Sequence, residues 1–262
     1  MNSKRADYWN AAYSEYWRKR VEETKTDQLE SSVQAGDKVT EGDEVYFGIF
    51  KAHPLQPGNI LDVGCGWGRF FPFFAEQGVR VFGVDISISM VEMFDHFELS
   101  AEYIVPPLVA EAEHIPFADG YFNNLACLAV FDATFQDLSF IEFLRVLKPG
   151  GHLYLTGKNV NYFEDDTLAL DAEVGAANKG HPNYFTDLTS LIEILTFNGH
   201  QVIGQYFFPR RGDFAKQIFH TDLNDKFYEF CIVVEKGKEE LIAFSQPISC
   251  SESLVRAKQR AH

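Results

Sequence analysis

Short apolar runs alternate with longer segments of helical periodicity through the first part of the chain. The apolar runs predict strands at 59–63, 80–84, 108–110, 124–131 and 152–156. Helical spacing of apolar residues predicts helices at 69–77, 90–97 and 137–147. Strands that are apolar throughout and alternate with helices are typical of a parallel sheet covered on both faces. We therefore predict a doubly wound α/β fold.

This alternation is interrupted after residue 156. Residues 157–183 are polar and acidic, and we interpret them as an insert that follows the fifth strand. A helix at 186–197 and two strands at 200–208 and 227–235 resume the pattern. The connection between the last two strands is short, so we expect the last strand to run antiparallel beside its neighbour. The seven predicted strands together therefore indicate one mostly parallel sheet.

Three regions follow from this pattern: a helical N-terminal extension at 1–50, the α/β domain at 51–238 and a C-terminal tail at 239–262. Aromatic side chains in the extension share one helical stripe: Trp9, Tyr13, Tyr16 and Trp17. Such a stripe is typical of a helix that packs on the core. The alternative interpretation is a lid over a bound ligand.

Composition narrows the classes of function. The chain has 262 residues, 46% of them hydrophobic, which is enough to fill a sizeable core. Its 38 acidic and 23 basic residues give a net charge of −15. Proteins that hold a phosphate backbone usually carry the opposite balance. Nucleic acid is therefore disfavoured as a partner.

The cysteines and the apolar stretches bear on the cellular compartment. The four cysteines, at 65, 127, 231 and 250, form no CxxC pair and no zinc-ligand spacing. We expect neither a disulfide framework nor a metal site. The N-terminus lacks an apolar signal region, and no apolar stretch is long enough to span a bilayer. These features predict a soluble, cytoplasmic protein without membrane contact.

A glycine-rich turn joins the first predicted strand to its helix. Gly64, Gly66 and Gly68 let the backbone approach a ligand closely and expose the first amides of the helix. Asp85 ends the second predicted strand, 21 residues after Gly64, which suits a carboxylate that binds a ribose diol. The alternative is a tight strand-to-helix packing with a coincidental acid.

The residues around the turn favour one nucleotide ligand over another. The dinucleotide fingerprint needs a third glycine where this chain has Arg69. Asp62, two residues before the turn, would repel a pyrophosphate but suits an ammonium group. S-adenosylmethionine has no pyrophosphate and carries an amino-acid end. The turn therefore favours S-adenosylmethionine.

Four motifs occur in sequence: ILDVGCGWGRF (60–70), VFGVDIS (81–87), AEAEHIPFADGYFN (110–123) and FLRVLKPGGHLYLT (143–156). In order and spacing they resemble the motifs of class I S-adenosylmethionine-dependent methyltransferases. The resemblance covers about residues 60–160 and implies a Rossmann-like fold, with S-adenosylmethionine as the cofactor. It says nothing about the acceptor.

The resemblance implies a set of cofactor-binding residues: Asp62, Gly64, Cys65, Gly66, Gly68, Asp85, Ile86, Glu111, Ala112 and Leu128. The glycines would wrap the methionine end, with Asp62 near its ammonium. Asp85 would bind the ribose hydroxyls and Ile86 would pack on the adenine. Glu111 stands where the family commonly has Asp. Leu128 would offer its backbone carbonyl.

Methyl transfer requires alignment of the acceptor, and an acceptor oxygen of high pKa also requires a base. Asp132, His181 and Tyr184 are the candidates near the strand ends. Each also has a simpler interpretation as a loop residue, and Asp132 as a helix cap. Arg210 and Arg211 follow the sixth strand and are candidates for binding a carboxylate or phosphate of the acceptor. Their alternative is a solvated turn.

The fourth strand is not followed by Asn/Asp-Pro-Pro-Tyr/Phe or by Pro-Cys, the motifs of base-methylating enzymes of this superfamily. Together with the acidic balance, this favours a small-molecule acceptor methylated at oxygen or nitrogen. Two alternatives remain open: a protein or RNA methyltransferase, and a catalytically silent module that binds S-adenosylmethionine. The sequence does not fix the oligomeric state.

Overall fold

The computed structural model describes residues 3–13, 15, 43–94, 102–178, 183–223, 226–238 and 249–250. Its strands are β1 Asn59–Val63, β2 Arg80–Asp85, β3 Leu108–Val109, β4 Phe122–Cys127, β5 Leu147–Lys158, β6 Phe185–Thr186, β7 Gln201–Phe208, β8 Glu229–Glu235 and β9 Ser249–Cys250. Its α-helices are α1 Ser3–Tyr8, α2 Asp43–Ala52, α3 Phe71–Glu76, α4 Ile88–Val91, α5 Gln136–Val146, α6 Thr167–Asn178 and α7 Leu188–Phe197. A π-helical segment covers Trp9–Tyr13, and a 3₁₀ turn covers Phe131–Ala133.

Seven strands form one sheet in the order β3-β2-β1-β4-β5-β8-β7. The pairs among the first five strands are parallel, whereas β8 runs antiparallel to both β5 and β7. The predicted fold class is therefore confirmed, including the antiparallel last strand. A second, two-stranded sheet of β6 and β9 was not expected from the sequence.

Two apolar layers cover the sheet, and neighbouring residues of β1 belong to different layers. Leu61 packs with α5 and α7, where Phe143 and Leu191 are fully buried. Ile60 packs with α2 and α3, where Phe74 is fully buried. Alternation of side chains along a strand places consecutive residues on opposite faces. Both faces of the sheet are covered, as the continuous apolar runs predict.

The structure differs from the expected elements in four places. The fourth strand ends at Cys127 rather than at 131, because Ala129 takes a positive φ of 56° and a 3₁₀ turn follows. The fifth strand is longer than 152–156, since it spans Leu147–Lys158. The polar insert contains helix α6. The helix expected at 90–97 is described only as far as residue 94, and α4 ends at Val91.

The strand order reverses between β1 and β4, because β2 and β3 lie on one side of β1 and β5 lies beyond β4. Ligands of doubly wound sheets bind at the carboxyl ends of the strands at such a reversal. The topology therefore places the glycine turn after β1 and the loop after β4 on two sides of one crevice.

Candidate active site

A cavity occupies this crevice at the carboxyl ends of β1, β2 and β4. Eight of the predicted cofactor residues line it: Asp62, Gly64, Cys65, Gly66, Asp85, Ile86, Ala112 and Leu128. Gly68 and Glu111 are not among the described residues that line it. Gly68 instead shapes the turn, at a φ of 82°, and its amide donates to the carbonyl of Cys65 at 2.9 Å.

The glycine turn, residues 64–68, is held against β2 by the backbone. The amides of Gly64 and Cys65 donate to the carbonyl of Val84 at 2.8 and 3.2 Å. Gly64 has a φ of 72°, and a Cβ there would lie 2.3 Å from Cγ2 of Val130. No side chain fits at that position without moving the loop after β4. The thiol of Cys65 is buried, which raises its pKa well above the usual range and disfavours the reactive thiolate form.

Asp85 joins the turn to the next helix. Its Oδ2 accepts from the amide of Gly66, and its Oδ1 accepts from the amide of Ser87, both at 2.8 Å. Burial raises the pKa of Asp85, and the two amides oppose this rise. Each carboxylate oxygen keeps a second lone pair. The carboxylate is thus fixed at the cavity wall and can accept further hydrogen bonds.

Asp62 is the most unusual polar group at the cavity. The residue is 3% exposed, and its Oδ2 has no hydrogen-bond partner among the described residues. Burial raises its pKa to about 8, although the Arg69 guanidinium lowers it. A buried oxygen without a donor is costly. Such an atom at a ligand cavity is suited to a cationic hydrogen-bond donor on the ligand.

The loop after β4 forms the opposite wall. Leu128 and Ala129 line the cavity, and the amide of Ala129 donates to Oγ1 of Thr156 on β5 at 2.6 Å. The positive φ of Ala129 is uncommon for a residue with a Cβ. Conformations of this kind cluster at functional sites.

The comparisons with known proteins agree with this geometry. Residues 61–155 match a family described as "Methyltransferase domain". This part of the chain, which includes the glycine turn and Asp85, is similar to methyltransferase domains. Over 112 residues it is 33% identical to "Ubiquinone/menaquinone biosynthesis C-methyltransferase UbiE" of Neisseria gonorrhoeae (strain NCCP11945), a match that covers 41% of this chain and 46% of that protein. The chain thus spans less than half the length of this curated relative.

Solved structures share the methyltransferase fold. Magnesium protoporphyrin IX methyltransferase (ChlM) from Synechocystis PCC 6803, with bound SAH, superposes with a TM-score of 0.59 at 16% identity, covering 90% of this chain and all of that one. Geranyl diphosphate C-methyltransferase from Streptomyces coelicolor A3(2), in complex with Mg²⁺, geranyl diphosphate and S-adenosyl-L-homocysteine, superposes with a TM-score of 0.57 at 16% identity, covering 74% and 79%. At this identity the likeness concerns the fold alone.

The N-terminal segment, residues 3–13, contributes to the same cavity. Arg5 and Trp9 line it. Nη1 and Nη2 of Arg5 donate to the two carboxylate oxygens of Glu113 at 2.7 and 2.6 Å. Arg5 and Glu113 were not among the predicted site residues, because 108 residues separate them and no local pattern in the sequence marks the pair. The chemistry of Glu113 is visible only once the chain is folded.

The predicted catalytic residues occupy different surroundings. Oδ2 of Asp132 lies 3.0 Å from Nζ of Lys158, and its carbonyl accepts from the amide of Tyr184 at 2.6 Å. The ring of Tyr184 contacts that of Phe135, with centroids 6.0 Å apart. The structure therefore brings Asp132 and Tyr184 together through the backbone. His181 lies outside the described residues.

Asp132 belongs to a buried polar cluster that also comprises Lys158, Glu173, Asn183 and Tyr228. Nζ of Lys158 lies 3.3 Å from Oε1 of Glu173 and donates to Oδ1 of Asn183 at 3.0 Å. The hydroxyl of Tyr228 and the side-chain amide of Asn183 both donate to Glu173. Burial lowers the pKa of Lys158, but Tyr228, Asp132 and Glu173 outweigh it and hold the pKa well above the usual range.

Both predicted substrate arginines are engaged within the chain. Nη2 of Arg210 lies 3.1 Å from each carboxylate oxygen of Asp165, on an exposed surface. Nη1 of Arg211 donates to the hydroxyl of Tyr228 at 3.1 Å, and its amide donates to Asp166 at 2.8 Å. Neither arginine lines the cavity in the part of the chain that the structure describes. Their role toward an acceptor stays a prediction.

The described ranges also bear on metal binding and on membrane spans. No three or more His, Cys, Asp or Glu side chains in these ranges are grouped so that they could hold a metal ion. Among the described helices, none combines the length and apolar character that a membrane span requires.

Proposed function

We propose that this chain binds S-adenosylmethionine in the cavity and transfers its methyl group to an oxygen or nitrogen atom of a small-molecule acceptor. The observation that carries the proposal is the buried oxygen of Asp62 beside the glycine turn, which has no hydrogen-bond partner among the residues that the structure describes. The amino-acid end of S-adenosylmethionine brings an ammonium group, which is the kind of donor this oxygen lacks. A pyrophosphate at the same position would meet repulsion.

The other residues of the cavity fit the remaining parts of the cofactor. Asp85 is held by two amides in a position to accept from ribose hydroxyls. Ile86, Ala112 and Leu128 supply apolar surface for an adenine ring. The turn glycines keep the backbone open to the methionine end, since a Cβ at Gly64 or Gly66 would lie within 3.0 Å of a neighbouring side chain. The polar and apolar residues of the cavity therefore match the parts of S-adenosylmethionine.

The cofactor supplies a methyl group on a cationic sulfonium, which is already activated for displacement. The protein residues then have to hold the acceptor in line and exclude water. Arg5 and Trp9 wall the cavity from the N-terminal side, and Val130, Ala133 and Thr134 wall it from the loop after β4. Asp132, His181 and Tyr184 remain the candidates for a base, and Arg210 and Arg211 for contacts with an anionic acceptor.

The acidic balance of the chain and the names of its relatives support a small molecule as acceptor. The curated relative is described as a C-methyltransferase, but the match covers less than half of that protein. Product analysis tests which atom is methylated, because NMR of the product distinguishes methyl groups on oxygen, nitrogen and carbon.

Calorimetric titration tests the cofactor assignment. We expect the protein to bind S-adenosylmethionine and S-adenosylhomocysteine with micromolar affinity and not to bind NAD. The variant Asp62→Asn should bind both adenosyl ligands more weakly. Equal binding of NAD, or no binding of either adenosyl ligand, would contradict the proposal.

Turnover separates methyl transfer from binding alone. Incubation with S-adenosylmethionine and a panel of small molecules should release S-adenosylhomocysteine at a rate that depends on the acceptor. Binding without release across small molecules, proteins and RNA would favour a silent module. Release only with RNA, at an affinity that falls steeply with salt, would favour the nucleic-acid alternative.

A further inference from the structure

Glu113 is a buried carboxylate that joins three separate parts of the chain. Its two oxygens accept from the guanidinium of Arg5, and Oε1 also accepts from the amide of Phe135 at 2.6 Å. Glu113 and Arg5 are 5% and 6% exposed. The guanidinium carbon of Arg5 also lies 4.7 Å from the centre of the Phe135 ring. The carboxylate is thus fully used, and all of its partners come from other elements.

Each of the joined parts borders the cavity. Arg5 lines it from the N-terminal segment, Ala112 lines it next to Glu113, and Thr134 lines it next to Phe135. Glu113 itself is not among the described lining residues. Glu113 lies behind the wall, belongs to one wall segment and bonds to the two others, so it acts on a ligand only through these segments.

A second contact fixes the same N-terminal segment beside Asp85. Oδ1 of Asn10 accepts from Oγ of Ser87 at 2.8 Å and from the amide of Ser89 at 3.2 Å. The amide of Ser87 donates to Asp85, the carboxylate assigned to ribose. The N-terminal segment is therefore attached on both sides of the cavity, to Glu113 at one and to the start of α4 at the other.

We propose that Glu113 is a positioning residue of the cofactor site, which fastens the N-terminal segment over the cavity and couples it to the loop after β4. The proposal rests on the proposed function, because it requires that the cavity bind S-adenosylmethionine. Loss of either partner leaves the other charge buried without its counterion, so the segment leaves its place. Docking of the N-terminal segment against the loop after β4 then increases the affinity for a ligand that touches both. By thermodynamic linkage, the bound ligand stabilises the docked segment by the same factor.

The variants Glu113→Gln and Arg5→Met test this coupling. The chain offers a matched control in Glu142→Gln. Glu142 also binds an arginine through both oxygens, Arg145 at 2.7 and 2.8 Å, and accepts one amide, that of Ile115, at 2.9 Å. Neither Glu142 nor Arg145 lines the cavity. The control therefore removes a carboxylate with the same kinds of bonds, here between α5 and the loop that carries Glu113, without touching the N-terminal segment.

The first measurement is calorimetric titration with S-adenosylhomocysteine. We expect Glu113→Gln and Arg5→Met each to weaken binding about tenfold, a typical size for coupling between sites, and Glu142→Gln to leave it unchanged. The double variant should bind no more weakly than the weaker single variant, because the two residues act through one contact. Arg5→Lys should restore part of the affinity. Additive losses, or an equal loss in Glu142→Gln, would overturn the proposal.

The second measurement needs no ligand. Amide hydrogen exchange of residues 3–13 should accelerate in Glu113→Gln and Arg5→Met relative to the unmodified protein and to Glu142→Gln. Unchanged exchange would overturn the fastening role whatever the affinities are. If the unmodified protein binds no adenosyl ligand, the proposed function fails, and this exchange experiment still decides whether Glu113 holds the segment.

Discussion

The glycine turn and the buried polar cluster lie at the same edge of the sheet, but they are built in different ways. The turn consists of consecutive residues whose backbone bonds to β2, and one oxygen of Asp62, just before the turn, has no partner in the described part of the chain. The cluster gathers Asp132, Lys158, Glu173 and Tyr228 from distant parts of the chain, and these side chains bond to one another. The first is prepared for a ligand, whereas the second already supplies its own partners.

The difference shows where a ligand is needed. A buried polar atom without a protein partner gains from a bound group, while a cluster whose charges are paired gains little from one. Removing a residue should therefore have different main consequences in the two regions. Changes at the turn should reduce ligand affinity, and changes in the cluster should reduce the stability of the fold.

The largest expected effect is on stability, from Lys158→Met. This change leaves Asp132 and Glu173 buried without their cation, at a cost of about 3–5 kcal/mol. Lys148→Met, at an exposed lysine that donates to Asn123, is the control and should change stability little. Urea denaturation measures both. A Lys158→Met variant as stable as the control would show that the cluster does not hold the fold.

The next largest effect is expected from Gly64→Ala, which should lower both the stability of the fold and the affinity for the ligand. The new Cβ would meet Val130 at 2.3 Å, in a backbone conformation that L residues avoid. We expect a loss of about 2–4 kcal/mol in unfolding free energy and loss of binding to S-adenosylhomocysteine. The control is Gly175→Ala in α6, where, apart from the chain neighbours and the helix's own backbone, no heavy atom of the described residues lies within 4 Å of the added carbon. It should stabilise the helix by about 0.5–1 kcal/mol.

Asp85→Ala should act mainly on affinity. It removes the carboxylate assigned to the ribose and two bonds to backbone amides. Hydrogen bonds to charged groups contribute about 1.5–3 kcal/mol, so we expect calorimetry to give an affinity for S-adenosylhomocysteine that is lower by about that amount. Unchanged affinity would refute the assignment of Asp85.

The smallest expected effect is a pH dependence that Asp62→Asn removes. The pKa of Asp62 is raised to about 8, so the folded protein holds a proton that the unfolded chain has lost between about pH 4 and 8. Its contribution to stability therefore falls as the pH rises through this range. Because an ammonium ligand needs the ionised form, affinity for S-adenosylhomocysteine should rise from pH 6 to 8, by at most about tenfold per pH unit.

In Asp62→Asn the rise in affinity with pH should disappear, and the affinity for S-adenosylhomocysteine should be lower. The ligand-free variant should melt a few degrees higher than the unmodified protein at pH 8, since about 1 kcal/mol shifts Tm by about 2–4 °C at this chain length. Titrations at several pH values and a thermal melt measure these quantities. An equal pH dependence in both proteins would mean that another group titrates.

The same contrast explains how much the sequence could predict. The strands, the glycine turn and Asp62 were predictable because their signals lie within a few consecutive residues. Helix α6 was missed because its Ala- and Gly-containing sequence shows no clear apolar stripe, although Asp166, whose Oδ1 accepts from the amide of Ala169, was an available sign of its start. The ion pair of Glu113 with Arg5 and that of Lys158 with Asp132 have no local signal in the sequence, since only folding brings these residues together.

The strand order also has a consequence for how the sheet can fold during synthesis. Each strand from β2 to β5 pairs with a strand that precedes it in the chain, so this half of the sheet can assemble as the nascent chain emerges. In the seven-stranded sheet β7 pairs only with β8, which is made later and lies between β7 and β5. The half that carries the glycine turn can therefore form first, and the sheet is completed only when residue 235 has left the ribosome.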